Sequence, residues 1–318
     1  MKKVLILGLS KSGISAAKYL VSKGGYDIYL TESKSEVDNA KVQELKDLGV
    51  KVEVGGHSET FISGADFAVT SPGIPPKSEI FKRLNSENIP IISEIELAYQ
   101  NTNTPFIAIT GTNGKTTTTA LVSHILEKDF KAPYCGNIGV PPTSLINEKN
   151  DYLVCEISSY QAQMTVDFKP FISCWTNFTP DHIDWHEGLE NYFKAKAKLF
   201  LGKQAPKYAI LNANDERLAK FGAECTESRV FWFDSEDAPD TSYIKDDAIW
   251  FKSDNVAEKI IDIKDCQLVG HHNYQNIMCG IICAKLCGMK NEEIRDRITS
   301  FRAPEHRLEK VRVMDGIT

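Results

Sequence analysis

The sequence predicts an α/β protein: one open parallel sheet, then a second α/β unit with a small antiparallel addition. Three observations lead there. Short apolar runs alternate with helical patterns, twice over, which calls for parallel strands joined by helical crossovers. In each pattern the first apolar run is followed by a glycine-rich loop and then a helix. At 318 residues, the chain is long enough for two domains.

Residues 4–7, 28–30, 50–54, 67–69 and 90–92 read as strands, with helices over 12–22, 37–48 and 78–86 between them. An acidic helix follows near 93–103. Thr102-Asn103-Thr104-Pro105, polar and ending in proline, then marks a boundary. The second pattern restarts at 106–109, with a helix over 115–128 and strands at 152–157, 172–177 and 208–212. Runs at 230–233, 243–244, 249–251 and 259–263 are short and separated by acidic turns, and read as the antiparallel addition. Helices return at 273–286 and 291–300.

Composition narrows the function classes. Lysine and arginine (37) against aspartate and glutamate (43) leave a net charge of −6, which argues against a broad nucleic-acid surface but permits a local phosphate pocket. No apolar run reaches the roughly 18 residues that would span a membrane. The apolar stretch at 4–8 is too short for a signal peptide, so a cytoplasmic protein, a monomer, is expected. None of the eight cysteines forms a Cys-x-x-Cys pair, so zinc-site spacing is missing. Cys279, Cys283 and Cys287 fall on one helix face and read as small buried side chains.

Two loops carry phosphate chemistry. Gly8-Leu9-Ser10-Lys11-Ser12-Gly13 follows a strand and opens a helix, and Glu32 ends the next strand, as in a Rossmann-like dinucleotide fingerprint. Ser10 replaces the second glycine, where the backbone normally approaches a pyrophosphate. A nicotinamide or flavin, another nucleotide, or plain strand–helix packing all remain open for this loop. The second loop is stronger. Thr110-Gly111-Thr112-Asn113-Gly114-Lys115-Thr116-Thr117 supplies glycines for inward N–H groups, a lysine for the outer phosphates and a hydroxyl for Mg²⁺. It is a shortened P-loop, with Ile109 where the usual pattern has its first glycine. The unit is therefore expected to be of P-loop ATPase type and to bind ATP or GTP.

Further residues cluster at the expected strand ends. Glu156, before Ile157-Ser158-Ser159, sits where a carboxylate can face Mg²⁺ opposite Thr116. His182, within Thr179-Pro180-Asp181-His182-Ile183-Asp184, can ligate or orient a second metal. Lys194 and Lys198 share a helix face while Lys196 points elsewhere; by spacing alone these lysines are a solvated basic face.

In this order the motifs resemble the Mur ligase family. The matching pieces are the 110–117 loop, Gly136-Asn137-Ile138-Gly139, Glu156 through Ser159 with Gln161, Asp181-His182-Ile183-Asp184 and Tyr192 through Lys196. Gly270-His271-His272-Asn273-Tyr274-Gln275-Asn276 and Pro304-Glu305-His306-Arg307-Leu308-Glu309 complete them. The 8–13 loop and Ser71-Pro72-Gly73-Ile74 look most like the branch that joins D-glutamate to UDP-N-acetylmuramoyl-L-alanine.

The resemblance implies an ATP-dependent ligase with two Mg²⁺ ions, domains at 1–93 and 94–303, and residues 304–318 opening a third domain that the sequence otherwise lacks. It assigns catalysis to Lys115, Glu156, His182 and Lys196, the last carrying a CO₂-derived carbamate. Metal ligands would be Thr116, Glu156, His182 and Lys196. ATP would meet Gly111 through Thr117, with Asn273, Asn276 and Arg307. The sugar-peptide would meet Leu9, Ser10, Lys11, Ser12, Glu32, Ser71, Gly73, Asn137, Ser159 and His182. Another Mur-type or folylpolyglutamate-type ligase, a nucleotide-binding module without catalysis, and a nicotinamide-dependent dehydrogenase are the alternatives.

Overall fold

The computed structural model describes residues 1–302. A five-stranded sheet is built from β1 (Lys2–Leu7), β2 (Tyr26–Glu32), β3 (Lys51–Val54), β4 (Phe67–Thr70) and β5 (Ile91–Ser93). All pairings are parallel, in the order β3-β2-β1-β4-β5. Strand order reverses at β1, so the loops after β1 and β4 flank a crevice at the strands' carboxyl ends, where open α/β sheets bind ligands.

The second sheet has nine strands: β6 (Phe106–Thr110), β7 (Tyr134–Gly136), β8 (Leu153–Glu156), β9 (Ile172–Trp175), β10 (Tyr208–Asn212), β11 (Arg229–Phe233), β12 (Thr241–Lys245), β13 (Ala248–Ser253) and β14 (Val256–Asp262). Their order is β14-β13-β12-β11-β10-β9-β6-β8-β7. β6, β8 and β9 are buried along their whole length, which is why β6 and β8 read as unbroken apolar runs ending in one polar residue, while β9 buries Ser173 among apolar neighbours. Register carries the site: Ile109 lies opposite Glu156, Gly136 opposite Glu156, and Thr110 opposite Trp175. The ends of β6, β7, β8 and β9 are thereby level.

The antiparallel addition is smaller than the sequence predicts. β11 pairs parallel with β10, and β12 is parallel to β11, so antiparallel pairing begins only between β12 and β13. Alternation and acidic turns look alike on a strand that continues a parallel sheet and on one that starts a meander. The three-residue β7 and the short helix Glu59–Ile62 carry too few residues to show a period, and neither was expected.

One apolar cluster joins the two sheets. It runs from Val4, Ile6 and Leu20 through Ile95 and Leu97 to Phe106, Phe168, Trp175 and Phe200. The acidic helix (Glu94–Tyr99) lies in this seam, and two of its carboxylates are buried. Glu96 accepts the backbone N–H groups of Val166 (2.7 Å), Asp167 (3.0 Å) and Phe168 (3.1 Å). Glu94 accepts the Thr143 N–H at 2.7 Å and its hydroxyl at 2.5 Å, and Thr143 meets Ser15 of the first helix at 2.7 Å. Of the three cysteines expected on one helix face, Cys279 and Cys283 are fully buried and Cys287 partly so; all eight cysteines are free. No helix among the described residues is long and apolar enough to cross a membrane.

Two expected outcomes follow from the seam. Glu96→Ala leaves three N–H groups, one buried and two half-buried, without their acceptor and lowers unfolding free energy by about 3 kcal/mol; urea denaturation measures this, and a loss under about 1 kcal/mol refutes the anchor. Burial raises the Glu94 carboxyl from 4.5 to about 7 against the opposing pull of its Thr143 hydrogen bonds. Its protonated form is therefore favoured in the folded chain. The stability it contributes is complete below pH 4.5, declines as pH rises, and is gone above about 7. Glu94→Gln stays neutral and gains about 2–3 kcal/mol on the parent between pH 5 and pH 8. A difference that stays constant across that range overturns the assignment.

Candidate active site

The glycine-rich loop at 111–114 leaves the end of β6 and opens the helix Lys115–Leu126. At Gly111 a Cβ would sit 1.9 Å from Thr176 Oγ1, so only glycine lets the loop turn this close to β9. The loop is fixed from behind. Thr112 N donates to Asn177 O (3.0 Å), Asn113 N to Asn177 Oδ1 (2.8 Å), and Thr176 Oγ1 to Asn113 O (2.6 Å). Thr112 Oγ1 donates to Thr179 O (3.0 Å) and Lys115 Nζ to Thr112 O (2.7 Å). The helix start turns the positive end of its dipole toward a bound anion.

Glu156 stands at the centre, 1% exposed. Thr116 Oγ1 donates to its Oε2 at 2.9 Å, and Asn137 Nδ2 to its Oε1 at 2.7 Å. Asn137 N also bonds the Glu156 carbonyl at 2.9 Å. One carboxylate thus touches both the phosphate-type loop and the 136–139 loop.

The solvated-lysine expectation fails at Lys196. Lys194 is exposed, but Lys196 is 1% exposed and Lys198 half-buried. Lys196 Nζ donates to Gly111 O at 2.7 Å and to Thr110 Oγ1 at 3.4 Å, and it lies over the Tyr192 ring. Burial and then the charge of Lys115 push its pKa well below the ordinary lysine value. The helix carries it inward because its neighbours Tyr192, Phe193, Ala195 and Ala197 are the buried face.

His182 sits further out. It adopts φ +50° at the start of the helix Ile183–His186, pairs with Asp181 at 3.4 Å, and faces the rings of Tyr160 and Tyr192. Among the described residues no hydrogen bond joins it to Glu156, Thr116 or Lys196. His186, which the sequence reading passed over, is the more buried: its Nε2 lies 2.9 Å from Ser159 Oγ, and burial lowers its pKa to about 4, helped by Lys196 and His182. Nothing in the residue pattern separates it from a surface histidine beside an acidic turn.

No group of three or more His, Cys, Asp or Glu side chains converges among the described residues. The Thr116 hydroxyl and Glu156 carboxylate are hard oxygen donors that suit Mg²⁺, which keeps waters and phosphates as its remaining ligands.

Two clefts flank this centre. One, of about 620 Å³, is lined by Asn113, Gly114, Thr117, Phe233, Asn273 and Asn276, so both expected asparagines share it with the loop. Asn276 Oδ1 accepts from Thr118 Oγ1 at 3.0 Å. Asp234 holds the start of their helix, accepting from Asn214, His271 and Gln275 at 2.7, 2.8 and 2.9 Å. Arg307 lies outside the described residues, as does the 304–318 segment.

The other cleft, of about 690 Å³, is lined by Ser10, Lys11, Ser12, Glu32, Ser71, Gly73 and Asn137, among others. Ser10 Oγ meets Ser71 Oγ at 2.7 Å and Ser12 Oγ at 2.9 Å, so the hydroxyl fills the space that a second glycine would leave open. Glu32 lines the cleft, but its carboxylate is engaged by Leu9 N at 2.8 Å and Lys34 N at 3.1 Å. The Leu9 side chain packs on the core, and Ser159 is buried against His186 and does not line this cleft.

Comparison with known proteins places this arrangement. Residues 109–284 match the Mur ligase middle domain, and residues 2–93 the Mur ligase MurD-like N-terminal domain. UDP-N-acetylmuramoylalanine--D-glutamate ligase of Thermoanaerobacter pseudethanolicus is 37% identical, over 99% of this chain and 70% of that protein. The enzyme of the same name from Acidobacterium capsulatum is 36% identical, over 100% of this chain and 70% of its own. The fold is shared with UDP-N-acetylmuramate:L-alanyl-gamma-D-glutamyl-meso-diaminopimelate ligase from Neisseria meningitides (TM-score 0.66, 18% identity, 96% of this chain and 99% of that one). It is shared also with UDP-N-acetylmuramate-alanine ligase MurC from Thermotoga maritima (TM-score 0.54, 20% identity, 95% and 69%). The chain belongs to the Mur ligase family, a family of ATP-dependent amino-acid ligases.

Proposed function

We propose that this protein joins D-glutamate to UDP-N-acetylmuramoyl-L-alanine in the cytoplasm, at the expense of ATP, in peptidoglycan precursor synthesis. The observation that carries this reading is Glu156, bonded on one side to Thr116 of the ATP loop and on the other to Asn137 of the 690 Å³ cleft. The γ-phosphate of ATP and the carboxylate of the sugar-peptide would meet there.

The substrate carboxylate attacks the γ-phosphorus, ADP leaves, and an acyl phosphate forms. The amine of D-glutamate then attacks the acyl carbon, and phosphate departs. Lys115 faces the transferred group from the start of its helix, and the loop N–H groups hold the other phosphates. Thr116 and Glu156 would hold one Mg²⁺, with His182 and a modified Lys196 serving a second. Bound Mg²⁺ spreads the charge that develops on the phosphoryl oxygens. Asn273 and Asn276 would contact the adenine, and Ser10, Lys11 and Ser12 the uridine diphosphate.

Lys196 is suited to carbamylation. Burial shifts its amine toward the neutral, nucleophilic form; the nitrogen would form a bond to the carbon of CO₂ and lose a proton, leaving a carboxylate.

Calorimetry with UDP-N-acetylmuramoyl-L-alanine and with NAD tests the substrate reading. The sugar nucleotide is expected to bind and NAD not to; a preference for NAD overturns it. Lys115→Ala should weaken Mg-ATP binding at least tenfold, since the phosphates lose a charge-assisted partner. Unchanged affinity refutes the loop's role. With ¹³C-bicarbonate supplied, a carbamate resonance should be present in the parent and missing from Lys196→Ala. A parent without that signal counts against the modification.

A further inference from the structure

His57 lines the 690 Å³ cleft beyond β3, away from the phosphate-type turn at 8–13. The turn that carries it is fixed on both sides. Gly55 N and Gly56 N donate to the Glu32 carbonyl at 2.9 and 3.3 Å, and Ser58 N to Glu53 Oε1 at 2.7 Å.

The fully buried Thr31 hydroxyl touches two groups here: the Gly56 carbonyl at 2.7 Å and His57 Nδ1 at 2.8 Å. A hydroxyl has one proton, and a carbonyl only accepts. The proton therefore points to Gly56, and the contact with Nδ1 requires hydrogen on the imidazole. A neutral ring that donates from Nδ1 has an unprotonated Nε2, which is an acceptor. Burial holds the His57 pKa below its ordinary value, against the nearby Glu53 and Glu32, and so favours the neutral ring. Among the described residues no hydrogen bond engages Nε2.

The order of groups along the cleft runs from the helix start at Ser10–Ser12, past Glu32 at the end of β2, to His57 after β3. In sheets of this kind a nucleotide lays its phosphates on the first turn and its ribose near the second strand end. The base then falls toward β3.

We propose that His57 Nε2 accepts the ring N3–H of a uracil-type base and so selects uridine over cytidine nucleotides. This rests on the proposed function's placing of a uridine diphosphate in the cleft. Uracil carries hydrogen on N3, whereas cytosine presents a lone pair there, which would face the lone pair of Nε2. A methyl on N3 blocks the contact sterically.

The test is calorimetric binding of UDP, CDP and N3-methyl-UDP to the full chain, to His57→Phe and to His57→Gln. The parent should bind UDP about tenfold or more tighter than the other two, because a site built to accept an N–H rejects a ligand without one. His57→Phe should weaken UDP about five- to tenfold and leave the others nearly unchanged, so that the preference collapses. His57→Gln offers a donor and an acceptor from one side chain and should restore most of it. If the parent binds UDP and His57→Phe keeps the same preference over CDP, the base is read elsewhere and the inference falls while the uridine site stands. Equal weakening of all three nucleotides by His57→Phe also overturns it, since the ring then only packs. A parent that binds none of the three overturns both this inference and the uridine site.

Discussion

A buried carboxylate with two masters fixes the geometry of this molecule. Glu156 has no access to water, so each of its oxygens needs a donor, and the cost of leaving one bare would be a few kcal/mol. The donors come from different loops: Thr116 on the helix after β6, and Asn137 after β7. Both can arrive only if β6, β8 and β7 end level, which the parallel register Ile109–Glu156–Gly136 provides. At Gly136 a Cβ would lie 2.3 Å from the Glu156 carbonyl, so the approach of β7 depends on that glycine. Sheet register, loop chemistry and the adjacency of the two clefts are one constraint seen at three scales.

The seam between the sheets follows the same rule. Glu94 and Glu96 lie two residues apart on one short helix, and both are buried, yet they reach opposite ways. Glu94 bonds Thr143, just past the 136–139 loop; Glu96 bonds the backbone at 166–168, ahead of β9. Each ties the connecting helix to a segment that leads into the centre. The first sheet, through Ser15, is held to the same Thr143. The cleft that spans both sheets is therefore positioned by carboxylate–amide bonds that lie among apolar side chains, where competing water is scarce.

Most of the architecture was legible because its signals are local. Unbroken apolar runs such as Phe106-Ile107-Ala108-Ile109, separated by helical patterns, dictate parallel strands, and Gly114-Lys115-Thr116 after such a strand dictates a phosphate loop. What stayed hidden depends on contacts distant in sequence. Spacing sets Lys196 apart from Lys194 and Lys198 but does not say which face is buried, and only packing shows that Lys196 goes inward with Tyr192 and Phe193. The glutamates at 94 and 96 resemble a solvated helix face, and the N–H groups that donate to them lie 49 and 70 residues on. β11 carries the same short, acid-flanked signature as the meander after it, and only pairing with β10 separates them. Glu32 was legible as the end of β2 but not as the residue that holds the Leu9 amide, because that bond exists only once β1 and β2 are side by side.

The charge balance at the centre limits what Lys196 can be. As an ammonium it would stand buried near Lys115, with a carbonyl and a hydroxyl as its hydrogen-bond acceptors and no carboxylate within ion-pair distance among the described residues. That arrangement penalises the charged form twice, through lost hydration and through like-charge repulsion. The neutral amine removes both penalties, and it is also the reactive form toward CO₂. The change that the proposed function requires runs in the direction the surroundings already favour. A carbamate there would replace a repelled cation with an anion beside Lys115, and it would add to Glu156 a second negative oxygen donor where Mg²⁺ and phosphate would meet. The burial that disfavours an ammonium at this position is thus the same feature that would favour a carbamate under the proposed function.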